Sequence, residues 1–303
     1  MICASAIPPI GLRVNSDGQL FIPNGSISGL SLTGTDFILS IGRASFIQTG
    51  EDISITSGTF LHVSGDIILC PVRSPAFRIG RSLDNTTAVT VAIGPGSFLL
   101  DTHRSISVIK NEMNHGTLIL GDDQAAAFEQ SCIPNSTIHV PIAATFSVFT
   151  FEMGYLLRFP LGQRSREVAY ESRGIPSGLS SSVKILTLPF SLAAELVRII
   201  TLRGSNFVVE EDDDSVPTQF TDCFRDLLID HLPEIVLTFS EPQEVVLYPE
   251  DYMRFDDTIS QCSFNFKIES INTVLLGFNP LIIPNVNVHI SATGFALCDS
   301  LVD

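Results

Sequence analysis

The chain has 303 residues, of which 45% are hydrophobic and 17% are charged, so it has ample apolar material for a large core and does not have the composition of a disordered protein. Its formal net charge of −16 repels phosphate backbones, which argues against a nucleic-acid partner. No apolar run approaches the roughly 18 residues that a transmembrane helix requires, and residues 1–9 lack the basic and apolar stretches of a signal peptide.

The first half of the chain has the pattern of a β protein. From residue 19 to residue 70, short apolar runs such as Phe37–Ile41 and Asp66–Leu69 alternate with glycine-containing turns. Strands of this length at this spacing are typical of sandwiches, barrels and lobed β proteins. The same pattern continues through residues 88–160, so we predict strands throughout this half.

The second half begins with a different composition. Residues 161–180 are rich in Arg, Ser and Gly and are predicted to form a surface loop or linker between two halves. Residues 189–200 have apolar side chains at helical spacing and predict a helix, and residues 222–232 predict a shorter one. The acidic run at 210–214 lacks the spacing of a calcium loop and is predicted to be solvated.

The cysteines and histidines do not predict a metal site. No Cys-x-x-Cys pair occurs, and no His stands at zinc-finger spacing beside a Cys. The six histidines are scattered, and we interpret them as surface or core residues. The six cysteines are either secreted disulfides or buried free thiols, and they are Cys3, Cys70, Cys132, Cys223, Cys262 and Cys298.

Three Asn-x-Ser/Thr sequons begin at Asn24, Asn85 and Asn135 and are candidate glycosylation sites. Because residues 1–9 show no signal peptide, the chain is expected to be either cytoplasmic or preceded by a segment that this sequence does not include. The sequons and cysteines favour the secretory pathway or the extracellular space.

Several segments match the motifs of one protein family, in the family's order. Residues 20–29 match its flap hairpin at Gly25, Ser26 and Gly29, with Ile22 in the position of the flap Tyr and Asn24 inside the hairpin. Further matching segments are residues 92–100, 116–123, 141–159, 232–239, 248–252, 274–279 and 293–296. Over residues 20–298 the chain resembles the pepsin-like aspartic proteases.

The residues that carry catalysis in that family are replaced here. Residues 178–189 resemble its second active-site strand, but Ser180 stands in the Asp position, Ser181 follows it, and Ser182 stands in the Gly position. The first catalytic Asp is not found, because no Asp-Thr/Ser-Gly triplet precedes the flap. Outside the catalytic positions, Phe278 stands where a later Ile-Leu-Gly-Asp motif has Asp. Two carboxylates that share one proton are required to activate water. The resemblance therefore implies a non-catalytic member of the family, not an enzyme.

The resemblance implies an all-β, bilobal fold with few short helices. Its abbreviated N-terminal lobe and interlobe strands would occupy residues 1–160, and its C-terminal lobe residues 161–303. The family's second-lobe disulfide would join Cys223 to Cys262, which flank the segment 232–239. The pairing of the other four cysteines stays open, and no cofactor is implied.

The function expected from this resemblance is the binding of a protein or peptide partner, since a groove under a flap suits extended chains. Two alternatives stay open. One is an active aspartic endopeptidase whose N-terminal segment is missing from this sequence. The other is a structural subunit of a larger protein assembly.

Overall fold

A computed structural model describes most of the second half of the chain and separate segments of the first. The described residues are 9–14, 20–23, 30–32, 37–41, 53–55, 60–63, 66–69, 77–81, 89–93, 105–111, 115–121, 125–145, 148–159, 170–180, 185–202, 206–207, 219–225, 229–240, 243–269, 275–291 and 293–301. Structural statements below concern these residues.

Short strands dominate the structure, as predicted. In the first half they are β1 (Ile10–Val14), β2 (Leu20–Ile22), β3 (Leu30–Leu32), β4 (Phe37–Ile41), β5 (Ile53–Ile55), β6 (Phe60–Val63), β7 (Asp66–Leu69), β8 (Phe77–Arg81), β9 (Val89–Ile93), β10 (Ser105–Asn111), β11 (His115–Leu120), β12 (Ile138–Pro141) and β13 (Ala143–Thr145). In the second half they are β14 (Val148–Arg158), β15 (Tyr170–Leu179), β16 (Thr187–Leu188), β17 (Asn206–Phe207), β18 (Gln219–Thr221), β19 (Glu234–Ser240), β20 (Gln243–Leu247), β21 (Met253–Asp256), β22 (Gln261–Phe264), β23 (Lys267–Ile268), β24 (Leu276–Phe278), β25 (Val286–Ser291) and β26 (Gly294–Asp299).

The helices in the described part of the chain are short. They are α1 (Ala125–Gln130), α2 (Phe190–Leu202) and α3 (Pro249–Tyr252), with 3-10 turns at Ile229–His231 and Pro280–Ile282. Helix α2 confirms the prediction for residues 189–200, and the apolar face that predicted it is buried at Leu192, Leu196 and Ile200. No described helix has both the length and the apolar character needed to cross a bilayer.

The chain divides into two compact units. The first contains residues 1–150, 179–182 and 279–303, and the second contains residues 151–178 and 183–278. These units differ from the predicted division at residue 160, because β25 and β26, at the end of the chain, pair with each other and β25 pairs with β10. The assignment of functional lobes to residues 1–160 and 161–303 stays a prediction.

The first unit is built on a twelve-stranded sheet in the order β12-β26-β25-β10-β11-β1-β2-β4-β9-β8-β7-β6. The alternation of a β-strand puts successive side chains on opposite faces. A row of apolar residues therefore crosses five neighbouring strands on one face, and all five are buried: Leu118, Val108, Val288, Leu297 and Ile138. The next row along the strands lies on the other face and contains polar side chains, including two histidines.

The second unit contains the sheet β20-β19-β14-β15-β24, a four-stranded sheet β17-β18-β22-β21 and the parallel pair β16-β23. The prediction of a loop at 161–180 is wrong for residues 170–179, which form β15. Although this segment is rich in polar residues and Gly, it has strand partners on both sides, β14 and β24. Residues 161–169 lie outside the described part of the chain.

Each unit contains one disulfide among its described residues. Cys223 is joined to Cys262 with the Cα atoms 5.7 Å apart, which is the pair that the sequence resemblance implies. Cys132 is joined to Cys298, a pairing that the sequence left open. Cys3 and Cys70 lie outside the described residues. Every described cysteine is therefore oxidised.

Candidate functional site

The residues predicted to replace the catalytic Asp and Gly follow β15 in the sequence. Leu179 ends the strand and is fully buried, and Ser180 follows it and is partly exposed. Ser181 and Ser182 lie outside the described residues. The chain returns to described structure at Ile185, which is buried, and enters β16 at Thr187. Ser180 thus directly follows the end of β15.

A buried tyrosine forms hydrogen bonds with β15 and β16, the strands before and after Ser180. The Tyr155 phenol, on β14, donates a hydrogen bond to the carbonyl oxygen of Thr187 at 3.2 Å and also hydrogen-bonds the side chain of Ser177. All three residues are buried. Burial raises the pKa of Tyr155 well above its ordinary value, so the phenol stays neutral and keeps its proton for donation. Its members lie on three strands, so no local sequence pattern connects them.

The position at which a later family motif has Asp is part of the apolar core. Phe278, which stands where the family's motif has Asp, is fully buried. Its ring contacts Phe151 edge to face at a centroid distance of 6.1 Å and Phe239 at 5.6 Å. Such aromatic pairs are stabilising beyond the area that they bury. A carboxylate at this position would lose these contacts and would be desolvated without a counter-charge.

The remaining predicted site residues are only partly described. Ile22 ends β2, while the other flap residues, Asn24, Gly25, Ser26 and Gly29, lie outside the described part. The sequon at Asn85 also lies outside it. Asn135 is exposed in a turn at φ 70°, and the Ser136 hydroxyl donates to Ile133 O at 2.9 Å and accepts from Asp299 N at 3.1 Å. The Asn135 side chain is therefore accessible on a turn held by hydrogen bonds.

A second candidate site lies in the first unit, on the face of the sheet that α1 covers. The cross-strand row next to the apolar row is His139, Ala296, His289 and Ser107, on β12, β26, β25 and β10. Directly paired residues in antiparallel strands place their side chains on the same face. Phe128 of α1 packs on this face with Ala296 and with the Cys132–Cys298 disulfide. The strand order thus brings together two of the six scattered histidines.

Beside α1 this face opens into a cavity of about 410 Å³. Its described walls are Phe128 and Glu129 of α1, residues 139–141 of β12, and His289, Ser291 and residues 293–296 of the β25–β26 hairpin. The His289 ring accepts or donates a hydrogen bond between Nδ1 and the Ser107 hydroxyl at 2.8 Å and lies against the Phe128 ring, with centroids 5.4 Å apart. These contacts fix the ring orientation of His289.

The arrangement around His289 does not form a nucleophilic centre. Ser107 is 3% exposed, so a substrate cannot reach its hydroxyl. Among the described residues, no three His, Cys, Asp or Glu side chains are placed to hold a metal ion.

The sheets and their order define an all-β, bilobal, pepsin-like fold, which confirms the fold predicted from the sequence. One similar structure is the crystal structure of basic 7S globulin from soybean, with a TM-score of 0.59 and 11% sequence identity over 97% of this chain and 95% of that chain. Another is conglutin gamma, a basic 7S globulin from lupine seeds, with a TM-score of 0.58 and 10% identity over the same shares.

No family model matches the sequence, and no curated protein matches it. At such low identity the likeness to the two globulins establishes the fold alone. Their names describe them as basic, whereas this chain carries a formal charge of −16. Partners selected by charge therefore cannot be transferred from those proteins to this one.

Proposed function

We propose that this chain is a non-catalytic protein of the pepsin-like fold that binds a protein or peptide partner in the secretory pathway or outside the cell. The sequence resemblance that carries this proposal puts Ser180 in the position of the second catalytic Asp. A serine hydroxyl stays neutral at any working pH and cannot take part in a shared-proton carboxylate pair.

The packing of Phe278 supports the same conclusion. In the family's motif this position is an Asp, and here it is a buried aromatic residue in contact with two other phenylalanines. The side chain has thus become part of the core. This packing is consistent with a non-catalytic member of the fold.

The oxidised cysteines support a secreted location. Disulfides persist in oxidising compartments and are rare in the cytosol. Both described pairs join segments distant in sequence, 39 and 166 residues apart, and each lies within one compact unit. A non-enzymatic role is also compatible with the globulins that share the fold.

Exposed apolar side chains beside the disulfides supply candidate contact surfaces for a protein partner. Phe224 and Ile259 are exposed on neighbouring segments joined by a hydrogen bond from Cys223 N to Ser260 O at 3.0 Å. In the first unit, the backbones of Cys132 and Ser300 pair in an isolated antiparallel β-bridge. Ile133 and Leu301, the residues that follow them, are exposed. Aromatic and aliphatic anchors on rigid segments are typical of binding surfaces.

Catalysis is tested by incubating the purified chain with an unfolded protein at acid pH, with and without pepstatin and beside an active aspartic protease. We expect no pepstatin-sensitive cleavage. Cleavage that pepstatin blocks would overturn the non-catalytic assignment and favour the endopeptidase alternative.

Binding is tested by panning a library of displayed peptides against the chain and against the variant Phe224→Ser/Ile259→Ser. Leu202→Ser is a matched control, because Leu202 is also exposed and lies in the same unit. We expect enriched peptides that bind the parent and the control but not the double variant. Enrichment of no peptide, together with a stable oligomer in light scattering, would replace the proposal with the structural-subunit alternative.

A further inference from the structure

Asn135 is the third residue of an exposed turn formed by residues 133–136. The turn is closed by a hydrogen bond from Ser136 N to Ile133 O at 3.1 Å. Pro134 is its second residue, and Asn135 has a φ of 70°, which is the residue pattern of a type II turn. Asn135 is exposed, and no other described residue hydrogen-bonds its side-chain amide. The amide nitrogen is therefore accessible to solvent.

The same asparagine begins the sequon Asn135-Ser136-Thr137, the acceptor sequence for N-linked glycans. The middle residue anchors the turn, because the Ser136 hydroxyl donates to Ile133 O at 2.9 Å and accepts from Asp299 N at 3.1 Å. Thr137 is partly buried and directly precedes β12. In the folded chain, the sequon is thus fixed between the turn and a strand.

The order of synthesis leaves this segment unpaired for a long time. In the described sheet β12 pairs with β26, the last strand of the chain. The nearby Cys132 pairs with Cys298, which follows it by 166 residues. Until the end of the chain is made, the sequon segment has neither its strand partner nor its disulfide. A transferase that must bind the side chains of Asn135 and Thr137 together therefore meets an extended, unpaired segment.

An exposed apolar face lies beside the turn. Ile133 is 42% exposed and Leu301 is 54% exposed, whereas Cys132 and Ser300, which pair in the adjacent β-bridge, are buried. Alternation along each strand puts Ile133 and Leu301 on the face opposite to Cys132, as diagonal neighbours about 7–8 Å apart. Exposed apolar pairs of this kind favour association with other proteins. A hydrophilic oligosaccharide attached two residues from Ile133 would shield this face.

We propose that Asn135 carries an N-linked oligosaccharide, transferred before β12 pairs with β26, that covers the exposed side chains of Ile133 and Leu301. The donor is an oligosaccharide linked to a polyprenyl diphosphate. The Asn135 amide nitrogen forms a bond to the anomeric carbon of the first sugar and loses one proton. The bond between that carbon and the diphosphate oxygen breaks, and the lipid diphosphate leaves with the electron pair.

This inference rests on the proposed secretory location, but not on partner binding. It assigns the face of Ile133 and Leu301 to the sugar. The exposed pair Phe224 and Ile259 is then the surface that stays available to a protein partner. The modification and the binding can therefore fail separately.

Occupancy is tested by expressing the full chain behind a cleavable secretion signal in a eukaryotic cell line and recovering it from both the membranes and the medium. Peptide N-glycosidase in heavy-oxygen water converts a glycan-bearing Asn to a labelled Asp, which mass spectrometry detects in the Asn135 peptide. We expect the label in the parent, in Ser136→Ala and in Thr137→Ser, and its loss in Thr137→Ala. An unlabelled Asn135 in chain recovered from the medium would overturn the inference and leave the proposed location and binding intact.

The time of transfer is tested with Cys298→Ser, in which the Cys132 disulfide cannot form. If transfer precedes pairing, the occupancy of Asn135 in the membrane pool equals that of the parent. Higher occupancy in the variant would show that folding competes with transfer and would contradict the proposed order.

Shielding is tested by the fluorescence of an apolar dye, anilinonaphthalene sulfonate. Asn135→Gly removes the acceptor, and Gly adopts a positive φ readily, so the turn is kept. We expect Asn135→Gly and the enzymatically deglycosylated parent to give more fluorescence than the glycosylated parent. Adding Ile133→Ser/Leu301→Ser to Asn135→Gly should remove the increase, whereas adding Phe224→Ser/Ile259→Ser should leave it. No increase, or one that only the second pair removes, would show that the sugar does not cover this face.

Discussion

The Tyr252 phenol donates a hydrogen bond to the carbonyl oxygen of Pro233 at 2.7 Å, and both residues are buried. Tyr252 ends α3, and Pro233 immediately precedes β19, so this bond attaches the short helix to the start of a strand that pairs with β14. A four-residue helix is not stable by itself. Its position depends on this bond and on the packing of the ring.

Tyr252→Phe should therefore lower the free energy of unfolding by about 1–3 kcal/mol, because it leaves the buried Pro233 carbonyl without its donor. Tyr248→Phe is the control, since Tyr248 is 53% exposed and its change should stay within about 0.5 kcal/mol. Urea unfolding followed by circular dichroism measures both. Equal effects would show that the buried hydrogen bond makes no net contribution.

The two buried tyrosines predict a loss of stability in alkali. Burial raises the pKa of Tyr155 and of Tyr252 above the ordinary value. The unfolded chain releases these protons near about pH 10, while the folded chain retains them. Stability is therefore fully present below about pH 10 and falls above it, by up to about 1.4 kcal/mol per pH unit for each tyrosine.

Urea unfolding at a series of pH values on either side of this point measures the slope. Tyr155→Phe/Tyr252→Phe should lower stability at neutral pH but flatten the decline above about pH 10. A slope unchanged in the double variant would assign the alkaline loss to other groups.

A single glycine on β14 is needed for close strand packing. A Cβ atom on Gly154 would lie 2.9 Å from Ser172 O and would also collide with the Thr238 hydroxyl. Gly154→Ala should therefore destabilise the fold by about 1–3 kcal/mol through overpacking. Gly11→Ala is the control, because nothing lies within 4 Å of the added atom. Thermal unfolding that shifts equally in both variants would contradict this explanation.

The two disulfides should differ in their contribution to stability. The loop-entropy relation gives about 4 kcal/mol for Cys223–Cys262, separated by 39 residues, and about 5 kcal/mol for Cys132–Cys298, separated by 166. Paired Cys→Ser variants, measured by guanidinium unfolding, test the two values. A larger loss for the shorter loop would show that native-state packing, not chain entropy, sets the effect.

Restoring one carboxylate should not restore catalysis. We expect Ser180→Asp to remain inactive towards an unfolded protein at acid pH, because a lone Asp has no partner with which to share a proton. The parent chain and an active aspartic protease are assayed in parallel. Pepstatin-sensitive cleavage by the variant would reveal a second carboxylate close to position 180 and would contradict a doubly degenerate site.

Elements with strong local patterns could be predicted from the sequence. Helix α2 has an apolar stripe, and β4 and β7 are apolar runs bounded by turns, so short-range physics determines them. For strand β15 the sequence predicts a loop, because residues 161–180 are rich in Arg, Ser and Gly. It is a strand because its neighbours β14 and β24 supply hydrogen bonds that no local pattern encodes.

The site residues, too, can be predicted only where a local sequence motif surrounds them. Ser180 was recognised because a motif surrounds it within a dozen residues. The Tyr155 group and the His139–His289 cavity depend on which strands lie side by side. His139 and His289 share one face because both are paired directly with Ala296 of β26. Composition does not encode that order. The Cys132–Cys298 pair was left open for the same reason.

The pairing of β25 with β10 also constrains how the protein is made. A ribosome adds about 5–20 residues per second, so Cys298 emerges roughly ten to thirty seconds after Cys132, from which it is separated by 166 residues. During that interval the whole of the second unit is synthesised. One edge of β10 stays without its partner β25, and the Cys132 thiol stays without Cys298, until the last residues are made. The nascent first unit would therefore need protection from premature pairing until synthesis is almost complete.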